Sequence, residues 1–179
     1  MMLLDVLDST VKKAKAQTAN VLTLGNLCLG GFAIIVGMNG NLNLSLLLIF
    51  IAALADRFDG MAARKFNIES ELGKQLDSMS DIISFGVAPA LLIYQAVLSG
   101  FGAPGSFFTV FYIGCGAYRL ARFNISESNG YFTGLPITAA GVLATLSYLM
   151  IPYIPAQIFL FIMLILSLLM ISPFKLRKV

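Results

Sequence analysis

Histidine and tryptophan are absent from the 179 residues, and charge is scarce: Lys and Arg number 12, Asp and Glu 9, together 12% of the chain. Without histidine there is no imidazole base, no histidine metal site and no Ser-His-Asp triad, so acid–base and ligand work falls to carboxylates. Cysteine occurs twice, at Cys28 and Cys115, far apart and inside apolar runs. That excludes a zinc framework or a disulfide scaffold and predicts buried free thiols. A soluble domain carries about 25% charged residues, roughly twice what this chain has to cover a surface. What is present instead is apolar: 58% of residues are hydrophobic and the mean hydropathy is +0.87. An integral membrane protein is predicted. At roughly 20 residues per spanning helix the length accommodates about six and leaves no large soluble domain.

Residues 1–17, MMLLDVLDSTVKKAKAQ, place their lysines after the apolar residues, unlike a secretory signal. They are predicted to form an interfacial amphipathic helix, with Leu3, Leu4, Val6, Leu7 and Val11 toward lipid and Lys12, Lys13 and Lys15 toward headgroups. Residues 18–179 then form the membrane domain, with spans predicted over 20–38, 42–64, 75–98, 106–123, 133–152 and 156–171. Asn39-Gly40-Asn41, Pro104, Pro152 and Pro155 mark breaks between them. The fold class expected is all-α: a polytopic membrane protein of six transmembrane helices plus an N-terminal juxtamembrane helix. Lys12, Lys13, Lys15, Arg64, Lys65, Lys74, Arg119, Arg122, Lys175, Arg177 and Lys178 all fall on one side of such a bundle, while the three opposite loops carry no charge. The asymmetry predicts both termini in the cytoplasm of a multi-pass cell-membrane protein.

Four aspartates sit at the cytoplasmic ends of two consecutive antiparallel spans. Asp56 and Asp59 are spaced i, i+3, and Asp77 and Asp81 i, i+4, so each pair shares one helical face. Two such faces meeting across a hairpin gather four carboxylates around one point. Hard oxygen ligands alone favour Mg²⁺ or Mn²⁺, with Ca²⁺ also able to fit, and four carboxylates accommodate two ions. Phosphate oxygens complete the coordination of such ions, so a phosphate or pyrophosphate ligand is expected. The small residues Gly60, Ala62 and Ala63 let a ligand approach the backbone. Two other readings stay open on the residues alone: surface ion pairs, Asp56 with Arg57 or Asp59 with Arg64, and a divalent-cation carrier. The carrier lacks the acids in the other half of the membrane, and the repeated halves, that such a path needs.

The constellation resembles the signature of the CDP-alcohol phosphatidyltransferases: Asp56, Asp59, Gly60, Ala63, Arg64, an eight-residue gap, Gly73, Asp77 and Asp81, with every spacing kept. Shorter stretches resemble the phosphatidylserine synthase branch: Thr23-Leu24-Gly25-Asn26, Ser84-Phe85-Gly86-Val87-Ala88-Pro89, residues 117–124 from Ala117 to Asn124, and 131–136 from Tyr131 to Pro136. The resemblance implies a cytoplasmic active site where a phosphatidyl group moves from a CDP-linked lipid, diacylglycerol or an analogue, to the hydroxyl of L-serine, giving phosphatidylserine and CMP. It implies metal binding by Asp56, Asp59, Asp77 and Asp81, with Asp81 also the general base. Gly60, Ala63 and Arg64 would contact the nucleotide; Asn26 and Thr23, on the cytoplasmic half of span one, are candidates for the nucleotide or the acceptor, or for bonding helix backbone and bridging helices. Candidate acceptor contacts are Arg119, Arg122, Asn124 and Ser84. Arg119 and Arg122, i and i+3 on one helix, offer guanidinium forks for a carboxylate, or equally for the phosphate of glycerol 3-phosphate or inositol phosphate in a sister transferase. The expected partners are the CDP-lipid, L-serine, the bilayer and a second copy of the chain, not nucleic acid. Gly30, Gly31, Gly114 and Gly116 would permit close helix contact in that homodimer.

Overall fold

The computed structural model describes the backbone of residues 2–66, 71–125, 131–173 and 175–177, and the side chains of residues 17, 20–58, 61, 71–125 and 134–173. Helix α1 runs unbroken over Met2–Met38, so the expected interfacial helix and first span are one rod of about 55 Å, longer than the ~30 Å hydrocarbon core. The amphipathic side chains of residues 2–16 lie outside the described set. Gly40 adopts φ +84°, which only glycine takes easily, and lets the chain reverse. Asn41 then caps α2, Leu42–Phe66, through its side-chain oxygen, which accepts from the Leu44 N–H at 3.4 Å.

The third helical rod has a feature that hydropathy did not announce. Helix α3, Glu71–Asp81, passes into a π-helical turn, Ile82–Val87, and continues as α4, Ala88–Ala96. Pro89 explains it: lacking an N–H, it cannot bond the Phe85 carbonyl one turn back, and its ring crowds that oxygen. Tyr112 of α5, Ala103–Ile125, supplies the missing donor, its hydroxyl reaching Phe85 O at 3.2 Å. Gly141 of α6, Ile137–Ser147, packs on the same carbonyl so closely that an added Cβ would lie 2.6 Å from it.

Two expectations need correction. The fifth span was predicted to begin at Thr133, but Tyr131–Thr133 is a short strand, β1, paired antiparallel with β2, Lys175–Arg177, and the helix starts only after Pro136. The described fold is all-helical as expected, with one small two-stranded ribbon added. The intervening Gly134 has φ +78° and lies against the Met170 carbonyl, where any side chain would collide. Beyond Ser147 the chain tightens into a 3₁₀ turn, Tyr148–Met150, because Pro152 and Pro155 withdraw backbone donors. Helix α7, Ala156–Ile171, matches its expected limits. The second correction concerns the thiols: both are free and Cys115 is buried, but Cys28 is exposed on the outer face of α1.

Phe85, Ile93, Tyr112, Ile137, Phe159, Met163 and Met170 fill the centre between α4, α5, α6 and α7, and Ala33, Ile49, Ala88 and Leu92 join α1 and α2 to it. Large apolar side chains also face outward, among them Phe32, Ile35, Leu54, Phe107, Val110, Phe161 and Ile165. Two segments, Asn20–Met38 and Glu71–Ala96, are long and apolar enough to cross a membrane, whereas Ile137–Met150 and Ala156–Ile171 are apolar but shorter. With apolar groups on both sides of each helix, close approach at small residues decides the packing. Gly30 sits against Ser84, and Gly116 against Ile137, so these two serve contacts within the chain; Gly31 and Gly114 face open space.

Candidate active site

The C-terminal half of α2 and the start of the third rod both pack against α1, and from there the carboxylates of Asp56, Asp77 and Asp81 reach one another. One oxygen from each lies within 4.8 Å of the others. Asp56 is half-buried, Asp77 exposed and Asp81 only 8% exposed, so the cluster grades from solvent into the bundle. The side chains of Asp59, Gly60, Ala63 and Arg64 lie outside the described residues, although α2 continues through all four positions. An oxygen-only donor set with this spacing fits a hard divalent cation: two oxygens on opposite sides of one ion stand about 4.2 Å apart for Mg²⁺ and about 4.8 Å for Ca²⁺. The Asp81 Oδ1 atom, buried and without a hydrogen-bond partner, fits that use as well.

Arg119 reaches toward this cluster from α5. It is 7% exposed, close enough to Asp81 for their charges to act on one another, and its guanidinium lies 5.5 Å from the centre of the Phe123 ring. Arg122, one turn on, turns the other way. Its two terminal nitrogens donate to the Ile171 and Ser172 carbonyls at 3.1 and 3.3 Å, so it caps the C-terminus of α7, where a cation also meets the negative end of the helix dipole.

The remaining candidates divide. Ser84 is fully buried and donates to the Asn26 backbone carbonyl at 3.1 Å, clamping the π turn to α1. Asn124 and Ser78 bond each other at 2.9 Å, tying the end of α5 to α3. Thr23 is buried on α1. Asn26 is 1% exposed, and neither atom of its amide has a partner. Ser80, absent from the candidates drawn from the sequence, is fully buried with an unpartnered hydroxyl. Its spacing of four from Ser84, which puts both on the face toward α1, was the available signal. Unpaired buried polar groups each cost about 1–3 kcal/mol, so their gathering here calls for a reason. Away from the acids, an apolar hollow of about 350 Å³ lined by Phe111, Gly114, Cys115, Tyr118 and Ile171 opens between α5 and the end of α7. It has the surface chemistry of a lipid contact and no acidic residue.

A helical bundle clad in apolar side chains, with a graded carboxylate cluster on paired helices and a buried guanidinium facing it, has the parts of a group-transfer enzyme that works on phosphates beside lipid. The family model for CDP-alcohol phosphatidyltransferase matches residues 16–174, and the chain belongs to that family. It is 41% identical over 123 residues to the CDP-diacylglycerol–serine O-phosphatidyltransferase of Bacillus subtilis (strain 168), covering 68% of this chain and 70% of that protein. Identity is 39% over 164 residues to the archaetidylserine synthase of Methanothermobacter thermautotrophicus, covering 89% and 69%. Against the CDP-diacylglycerol–serine O-phosphatidyltransferase of Helicobacter pylori (strain ATCC 700392 / 26695) it is 38% over 134 residues, covering 73% of this chain and 56% of the relative.

Proposed function

We propose that the chain transfers the phosphatidyl group of CDP-diacylglycerol, or of a CDP-linked analogue lipid, to the hydroxyl of L-serine, releasing CMP. The observation that carries this reading is the meeting of Asp56, Asp77 and Asp81 beside buried Arg119, in a family member whose relatives are named for serine transfer. Asp56, Asp59, Asp77 and Asp81 would hold the metal: Mg²⁺ or Mn²⁺, with Ca²⁺ a third candidate and two ions the expected number. When bound, such ions neutralise pyrophosphate charge and make CMP a better leaving group.

The chain's own residues supply the rest. A serine hydroxyl is a weak nucleophile at neutral pH, so Asp81 accepts its proton as the oxygen bonds to the phosphorus nearest the lipid. The bond from that phosphorus to the bridging oxygen breaks in the same displacement, and CMP leaves with the oxygen. Gly60, Ala63, Arg64 and Thr23 are assigned to the nucleotide, and Arg119 to the serine carboxylate. Arg122, engaged by the end of α7, supports the acceptor region from behind. A phosphorylated acceptor is disfavoured because, of the two α5 arginines, Arg119 lies toward the acids while Arg122 is engaged by the end of α7.

The 18–179 unit is read as a six-span membrane domain following an interfacial segment, with both termini and the acids cytoplasmic; the one-sided Lys and Arg distribution supports this orientation. A homodimer would use the outward glycines Gly31 and Gly114. To test the acceptor assignment, Arg119→Lys is expected to raise the KM for serine roughly 10-fold with little change in the KM for CDP-lipid, since an ammonium cannot reproduce the planar fork. Equal effects on both substrates would give Arg119 a structural role instead.

A further inference from the structure

Among the described residues, the buried side-chain atoms without a hydrogen-bond partner are Asn26 Oδ1 and Nδ2, Ser80 Oγ, Asp81 Oδ1 and Arg119 Nε. They come from Asn26 of α1, from two consecutive positions on the third rod and from Arg119 of α5. Ser80 and Ser84 stand at i and i+4 and share the face toward α1, with Asp81 on the adjoining flank of the same rod. The Ser84 hydroxyl bonds the Asn26 carbonyl at 3.1 Å, which fixes Asn26 of α1 beside that face. Arg119 of α5 lies near enough to Asp81 for their charges to act on one another. Three helices therefore contribute, joined through Ser84 and Asp81 of the third rod, and each of the four residues that carry these atoms is more than nine-tenths buried.

The hydrogen-bonding capacity that the protein leaves unmet has a definite composition. Apart from the Asp81 oxygen, already given to the metal, it comprises a guanidinium N–H, an amide NH₂, an amide oxygen and a hydroxyl. The two kinds of N–H suit a carboxylate, and the amide oxygen and hydroxyl suit an ammonium. Together they complement the ammonium and carboxylate of an α-amino acid. They do not complement a phosphate dianion, which would meet one guanidinium and otherwise neutral or acidic groups.

We propose that Asn26 and Ser80 are specificity-determining residues for the acceptor, reading with Arg119 the ammonium and carboxylate of an α-amino acid whose hydroxyl lies at Asp81. This rests on the serine-transfer reading above. It decides for the acceptor over the nucleotide at Asn26 and assigns Ser80 a role that its side-chain type alone does not suggest.

The test compares wild type, Ser80→Ala and Asn26→Ala as purified full-length protein, measuring KM for L-serine, KM for CDP-diacylglycerol, kcat and the thermal midpoint. Ser80→Ala is expected to raise the serine KM about 10-fold, and Asn26→Ala more, with the CDP-lipid KM and kcat within about 2-fold. The Ser80→Ala thermal midpoint should hold or rise, because an unpaired buried hydroxyl has been removed. A rise confined to the CDP-lipid KM would assign Asn26 to the nucleotide and overturn the proposal. Unchanged KM values with a higher midpoint would also overturn it, leaving these atoms to ordered water. If Asn26→Ala fails to fold, Ser80→Ala, which deletes one oxygen, decides alone. Wild type inactive with serine but active with another acceptor would fail the underlying reading, and that result is separate from the behaviour of the variants.

Discussion

Asp81→Asn is expected to lower kcat by about 10²–10⁴-fold, the usual worth of a positioned general base, while CDP-lipid still binds. The expectation follows from position. Asp81 is the most buried of the three clustered carboxylates, and Arg119 stands beside it. Asparagine keeps the size and one oxygen but cannot take a proton from an attacking hydroxyl. Single-turnover CMP release and equilibrium binding of the CDP-lipid, measured on the same preparation, separate the two functions. Full turnover in Asp81→Asn would remove the base assignment, and lost binding with proportionate turnover would make Asp81 a ligand only.

Metal removal is the second large effect. EDTA is expected to abolish turnover, and added Mg²⁺ or Mn²⁺ to restore it, because three anions within 4.8 Å repel one another and cannot hold pyrophosphate unaided. Asp56→Asn should raise the metal concentration for half-maximal activity on the order of 10–100-fold or more, given that even groups supporting a metal ligand are worth that much. Recovery at high metal distinguishes a weakened site from a misfolded one. Turnover that persists in chelator would contradict the assigned use of the cluster.

Much of this site was legible from spacing because helical periodicity is local. Acids at i, i+3 and i, i+4 share faces, and a short connection keeps the ends of the two helices near each other, so the meeting of Asp56, Asp77 and Asp81 was legible, although the support both helices take from α1 was not. The break at Gly40 was equally local, set by φ preference. What spacing could not reveal depends on partners far along the chain. The π turn needs Tyr112 and Gly141 to accept the carbonyl that Pro89 frees, and Arg122 finds the end of α7 some 50 residues away. Ser84, Asn124 and Arg122 read alike as polar candidates in sequence, yet each is engaged by a neighbouring helix. Cys28 and Phe32 point outward while Ala33 points inward, a distinction hidden from hydropathy when the outer and inner faces of a helix are both apolar. Ser80 went unnoticed because serine in a helix ordinarily bonds the carbonyl a turn before it, as Ser167 does at 2.6 Å.

The most direct test of serine transfer is CMP release by the purified protein in detergent with CDP-diacylglycerol and Mg²⁺ or Mn²⁺, comparing L-serine, glycerol 3-phosphate and inositol 1-phosphate against an EDTA control. The account predicts metal-dependent release with L-serine alone. Release driven by a phosphorylated acceptor and not by serine would contradict it.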